Sequence, residues 1–126
     1  MNLDFHSERP LFLQIAEQIE DGILSGAYAE EAQIPSTTEI SMAYKINPAT
    51  VLKGFTRLVD DGILYKRRGV GMFVSPGAVL RVREKRKETF FNDHVATFTK
   101  EARRLGLSLA ETVAQIERSF TENESD

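Results

Sequence analysis

The 126-residue sequence contains no cysteine. That excludes disulfides and thiolate metal sites, and it suits a reducing compartment. No run of 18 apolar residues occurs, so no segment is a candidate membrane span. The first ten residues, MNLDFHSERP, lack the basic-then-apolar order of a secretory signal, and the expectation is a cytoplasmic protein without membrane contact. Histidine occurs only at His6 and His94. No serine stands in a nucleophile-elbow pattern, and no glycine-rich loop precedes a helix at phosphate-binding spacing. Asp60-Asp61 has no third acidic or histidine neighbour and reads as solvated charge at a helix end. No catalytic residue, metal site or cofactor is expected.

What is present is an ordinary globular composition, 41% hydrophobic and 28% charged, enough for one modest core. The net charge of −3 is distributed unevenly. Residues 1–44 hold eight acidic residues and one basic, residues 45–87 eleven basic and three acidic, and residues 88–126 eight acidic and four basic. A basic middle between acidic flanks points to a localised contact with a polyanion, against the plainer reading of a solvated charged face.

The periodicities supply the elements. Phe12, Ile15, Ile19 and Ile23 recur at steps of three and four, which predicts a helix over residues 10–26 ending at Gly26. Ser36 followed by Glu39 is a capping box opening a short helix to about Tyr44, with Ile40 and Ala43 inward. Asn47-Pro48 opens another, burying Val51, Phe55, Leu58 and Val59 and ending at Gly62. Two capped helices separated by a turn of three residues are a helix-turn-helix. Residues 63–66 and 72–75 are short apolar strands around RRGVG, predicting a hairpin with a flexible tip. Residues 78–105 lack breakers and predict one long helix, basic in its first half. A second capping box at Ser108 and Glu111 opens a last helix, and TENESD is expected to fray.

A major groove admits one helix, and base contacts come from its first turns. The face opposite the apolar residues of 47–57 presents Asn47, Ala49, Thr50, Lys53 and Arg57. Asn47 suits adenine, Lys53 guanine or phosphate, and the methyls of Ala49 and Thr50 a thymine methyl. Gly54 leaves room for another surface to approach. Alone, this face reads equally well as an ordinary polar surface. The hairpin decides. A helix-turn-helix followed by a ribbon tipped with Lys66, Arg67, Arg68, Gly69 and Gly71 is a winged helix, and arginine and glycine suit close approach to the minor groove. The expected fold is mainly α with a small β-hairpin: a winged helix-turn-helix over residues 1–76, then a helical dimerisation hairpin over residues 77–126.

PLFLQIAEQIEDGILSG, then IPS, then INPATVLKGFTRLVDDGILYKRRGVGMFV together resemble the GntR family of bacterial transcription regulators, over roughly residues 10–75. The NPxTV step, the short chain and the 51 residues after Ser75 are similar to its YtrA-like subfamily. The resemblance implies a homodimeric repressor of a pseudo-palindromic duplex operator, acting on its own gene and often on operons for ABC-type transporters. Position by position, it implies that Ser36 caps the first helix of the motif. Asn47, Thr50 and Lys53 would contact DNA, and Arg67, Arg68, Gly69 and Gly71 would form the wing. The sequence departs from the family at Thr38, where an arginine that often contacts DNA is usual. Ala49 replaces the subfamily's second asparagine, and Gly54-Phe55 its Ala-Tyr. Weight would then shift to the wing and Lys53.

In the tail, Phe91, Val95, Phe98, Ala102 and Leu105 follow a 4-3-4-3 spacing, and Leu109, Val113, Ile116 and Phe120 continue it. So short a tail cannot bury both seams by itself, so dimerisation through them is expected; the alternative is that they fold back on residues 10–26. A small-molecule effector, of unknown identity, is left open, with Phe90, Phe91 and Phe98 as candidate lining. The competing function is a winged-helix protein-interaction module that no longer binds DNA, with Thr38 as its supporting feature.

Overall fold

A computed structural model describes residues 1–123 and divides the chain into two compact units, Met1–Glu84 and the segment from Lys85 on. In the first unit α1 (Leu11–Ser25) forms where expected: Ile15, Ile19 and Ile23 point into the core and are essentially without solvent contact. Gly26 ends it in the left-handed region, at φ 86°. Helix α2 (Thr37–Tyr44) begins with both bonds of the capping box in place. The Glu39 amide donates to Ser36 Oγ at 3.0 Å, and the Ser36 amide to the Glu39 carboxylate at 3.1 Å.

The turn to α3 (Pro48–Asp60) is three residues, Lys45 to Asn47. It is pinned from both sides. The Ile46 amide donates to Ser41 O at 3.1 Å, Ser41 Oγ donates to Ile46 O at 2.5 Å, and the Ile46 side chain is buried. A turn held this way fixes the angle between the two helices. Val51, Phe55 and Leu58 of α3 are fully buried and Val59 half-buried.

Strands β1 (Leu64–Arg67) and β2 (Gly71–Val74) pair antiparallel, Leu64 with Val74 through Arg67 with Gly71. Each is shifted by one residue, toward the tip, from the expected 63–66 and 72–75. The sequence reading also missed a third segment. The Glu31 amide donates to Val74 O at 2.7 Å, Val74 N to Ala32 O at 3.0 Å and Ile34 N to Met72 O at 3.0 Å. Residues 31–34 thus cover the outer edge of β2, which would otherwise present unpaired backbone groups. Residues 1–9 are held along α1 by the buried Gln14. Its carboxamide accepts from the Asp4 amide at 2.8 Å and donates to the carbonyls of Asp4 at 3.0 Å and Arg9 at 2.8 Å.

Helix α4 (Ala78–Phe90) begins in the first unit and ends in the second. Its first amides find a partner far back in the chain: Glu30 accepts from Gly77 N at 2.6 Å and from Val79 N at 3.3 Å. Ala78 and Val82 close the core below it. The single helix expected over residues 78–105 is interrupted. Residues Phe91–Val95 widen into a π-helical turn before α5 (Ala96–Arg104). Both flanks, Phe90 and Ala96, keep ordinary helical angles, so the turn needs no breaker residue and leaves no composition signal.

Gly106, at φ 74°, breaks the chain before α6 (Leu109–Asn123). The second capping box is formed, Glu111 N donating to Ser108 Oγ at 3.1 Å and Ser108 N to the Glu111 carboxylate at 3.2 Å. Fraying was expected from Thr121. Instead Thr121, Glu122 and Asn123 continue α6, and the remaining three residues of TENESD lie outside the described residues.

Candidate nucleic-acid interface

All the residues expected to meet DNA fall in the unit Met1–Glu84, and most are exposed. At the start of α3, Asn47 Oδ1 accepts from the Ala49 amide at 2.8 Å, so the carboxamide is held as a cap. One lone pair of its oxygen and its amino group remain for a base edge. Ala49, Lys53 and Arg57 lie exposed along the outward face, and Thr50 is half-buried. Lys53 does not point straight out. Its ammonium lies 4.2 Å above the centre of the Phe12 ring, toward α1.

Two findings revise the reading of this helix. Gly54 is buried, and the surface it admits is the chain's own α1. A Cβ added there would stand 2.8 Å from Phe12 O and 3.3 Å from an Ile15 methyl. The glycine therefore serves the crossing of α1 and α3, the most extensive helix–helix contact of this unit, and not the approach of DNA. The outward face also contains Leu52 and Thr56, both exposed, which the sequence reading passed over. Completing the helical wheel from Ala49 would have found them.

In the wing, Lys66, Arg67 and Arg68 are all exposed. The Arg67 guanidinium stacks 5.0 Å above the Phe73 ring, which pre-orders one of the three cations. The tip itself is tied down, where a flexible one was expected. Val70 N donates to Arg67 O at 2.9 Å, and Gln33 Nε2 donates to Val70 O at 3.0 Å from the segment that covers β2. Gly69, at φ 78°, supplies the left-handed residue of the turn and has open space around it. Gly71, at φ 145°, makes room for the clamp: a Cβ there would stand 2.6 Å from Gln33 Nε2. On α2, Ser36 Oγ is engaged by its cap, and Thr38 stands exposed in the first turn.

The second unit begins with three consecutive cations of its own, Lys85, Arg86 and Lys87, and beyond them it leaves apolar surface unburied. Phe91, Phe98, Leu105, Leu109, Val113 and Ile116 are exposed, as is Phe120 at 77%. Val95 is half-buried. Ala102 differs from the other seam residues, being already covered by its own chain. A groove of about 580 Å³ runs within this unit between Phe90, His94, Val95 and Phe98 on one side and Ile116 and Phe120 on the other. Phe90 lines it and Phe91 does not, because the π turn rotates the following residues. Among the described residues no cluster of three metal-ligating side chains occurs, and no helix is long and apolar enough to cross a membrane.

The sequence profile of the bacterial regulatory proteins of the gntR family matches residues 11–74, the stretch from the first residue of α1 to the last of β2. The chain belongs to the GntR family. It is 30% identical over 122 residues to the HTH-type transcriptional regulator YhcF of Bacillus subtilis, covering 97% of this chain and 98% of that protein. The HTH-type transcriptional repressor YtrA of Bacillus subtilis is 27% identical over 104 residues, 76% of this chain and 80% of that one, in keeping with the YtrA-like resemblance. Among solved structures, a GntR-family transcriptional regulator from Bacteroides thetaiotaomicron superposes with a TM-score of 0.74 at 34% identity, over 90% of this chain and 97% of that one. The DNA-binding domain of AraR in complex with operator ORX1 superposes with a TM-score of 0.54 at 28% identity, over 60% of this chain and 93% of that one. These relatives are transcription regulators and not enzymes. The GntR-type fold here, mainly helical with a two-stranded hairpin, is a winged helix-turn-helix.

Proposed function

We propose that this GntR-family regulator is a homodimeric repressor of a pseudo-palindromic duplex operator. Residues 1–76 form the DNA-binding domain, and residues 77–126 dimerise. The observation that carries the reading is the combination, in one compact unit, of an exposed first half of α3 and three exposed cations on a clamped wing. Asn47, Ala49, Thr50, Lys53 and Arg57 meet the major groove. Lys66, Arg67, Arg68, Gly69 and Gly71 meet the neighbouring sugar-phosphate wall or minor groove. Ser36 and Thr38 stand at the backbone beside them. Support comes from the AraR domain, a relative of the same fold crystallised on its operator. The target is a nearby operon, of the ABC-transporter kind in the YtrA-like subfamily, together with the protein's own gene. The exposed seams support the dimer. Phe91, Val95, Phe98, Leu105, Leu109, Val113 and Ile116 meet their copies, and Ala102 backs them from within.

The wing is tested through salt. With about five basic groups per subunit on phosphates, log affinity for the protein's own upstream DNA falls steeply with log salt, at about −0.9 per phosphate. The double variant Arg67→Ala/Arg68→Ala flattens that slope by nearly two and weakens all sequences alike, whereas Lys53→Ala changes sequence preference. The measurement is fluorescence anisotropy across a salt series. The second reading, an interaction module, is favoured by one observation, Thr38 in the place of a family arginine. Absence of binding to any duplex at low salt would decide for it.

A further inference from the structure

The base-reading part of α3 is less polar than a DNA-binding helix usually is. Lys53 is drawn toward Phe12, and Asn47 gives part of its carboxamide oxygen to its cap, keeping its amino group for a base edge. What remains at the centre of the outward face is Ala49, Leu52 and Thr56. They follow at steps of three and four and so form one stripe. All three are exposed and border an open depression between α3 and Phe12 of α1, whose rim is completed by Lys53, Arg57 and Asp60. Leu52 is 50% exposed, a large apolar side chain at mid-helix with nothing of its own chain over its outer half. A single half-exposed leucine is unremarkable on most helices. This one lies one turn into the helix that enters the major groove, where base contacts originate.

We propose that Leu52 is a specificity-determining residue that reads thymine through its C5 methyl, with Ala49 and Thr56 completing the apolar stripe. The thymine methyl is the one strongly apolar feature on a major-groove edge. Cytosine, adenine and guanine offer polar groups there that a leucine cannot satisfy, and burying them unpaired is costly. The operator half-site therefore carries a thymine facing the middle of α3. This assignment rests on the DNA-binding reading above.

Deoxyuridine tests it, because it differs from thymidine only by the missing methyl. Duplexes that the wild-type protein selects from a randomised library are remade with uracil in place of thymine, one position at a time. At one thymine per half-site, wild-type affinity falls roughly three- to fivefold, the worth of one buried methyl-sized group. Leu52→Ala binds the thymine duplex weaker by a similar factor and is indifferent to the exchange. Leu52→Met, still apolar, keeps the sensitivity, and Lys53→Ala keeps it too while binding less tightly overall. Thermal melting of Leu52→Ala close to wild type shows that the fold is intact. Indifference of the wild type to uracil at every thymine overturns the assignment, as does a Leu52→Ala variant that remains as sensitive as wild type. If the wild type retains no duplex at all at low salt, the DNA reading itself falls and the assignment with it. Binding without a uracil effect removes the Leu52 assignment alone.

Discussion

The two units of this chain solve the burial problem in opposite ways. In the first, every large apolar residue predicted to face inward, from Ile15 to Leu58, is covered by its own chain. In the second, a helix pair leaves Phe98, Val113 and Ile116 near 42% exposed and Leu109 at 81%, and among the described residues it buries only Ala102 and Thr112. Two helices have only one face each to offer the other. A unit of that size needs a third surface, and under the proposed dimer a second copy would supply one without lengthening the chain. The winged unit is therefore expected to owe its stability to its own contacts, the tail to association.

The sharpest way to break that contrast is to make the same change in both places. Phe55→Ala removes a fully buried ring from the meeting point of α1, α2 and α3. It should cost about 3–5 kcal/mol, enough to unfold the unit or bring its melting temperature down by tens of degrees. Phe98→Ala, at 43% exposure, should leave the far-UV spectrum and the melting of the winged unit almost unchanged. Its effect appears in sedimentation as a dimer dissociation constant raised roughly tenfold or more, from about 1.5 kcal/mol of lost burial. A wild-type chain that sediments as a monomer at micromolar concentration, or a Phe98→Ala variant that melts as badly as Phe55→Ala, would undo the comparison.

A smaller effect separates packing from DNA approach at Gly54. Gly54→Ala places a methyl against the Phe12 carbonyl, where flexible side-chain atoms cannot yield. Overpacking of this kind costs about 1–3 kcal/mol and should lower the urea midpoint with or without DNA. Were the glycine there for the operator, stability would be unchanged or improved by the better helix former, and only affinity would fall.

The same contrast explains what could be read from the sequence. Features that depend on residues a few positions apart were legible: both capping boxes, the Asn47-Pro48 start, the αL glycines at 26 and 106, and the wing's cations. Features that depend on distant residues were not. Glu30 caps α4 from 47 positions away, Gln33 clamps the wing tip from 37, and Gln14 holds the N-terminal segment through backbone groups that have no side-chain signature. Residues 31–34 do alternate, with Glu31 and Gln33 exposed and Ala32 and Ile34 turned inward, but a run of four with one large apolar residue is too short to read as a strand. Gly54 looks the same in sequence whether it faces DNA or a neighbouring helix. The π turn at Phe91–Val95 preserves a 4-3-4-3 apolar spacing on paper while changing which phenylalanine faces the groove.

The least disruptive test exploits a device that both units share. Ser36 with Glu39 and Ser108 with Glu111 are the same capping box, with bonds of 3.0–3.2 Å in each. Replacing either serine by alanine removes one amide acceptor, a loss of about 1 kcal/mol to the helix it opens. The context decides where that loss is seen. Helix α2 is locked to the core through the buried Ile40, so Ser36→Ala should lower the cooperative melting temperature by a few degrees and raise amide exchange throughout the unit. Helix α6 has no buried apolar anchor of its own, only Thr112. Ser108→Ala should therefore raise exchange at the first turn of α6 and weaken the dimer slightly, with the main transition in place. Equal shifts of the main transition from both variants would mean that the tail is as tightly integrated as the winged unit, and that its exposed seams contribute nothing to holding it together.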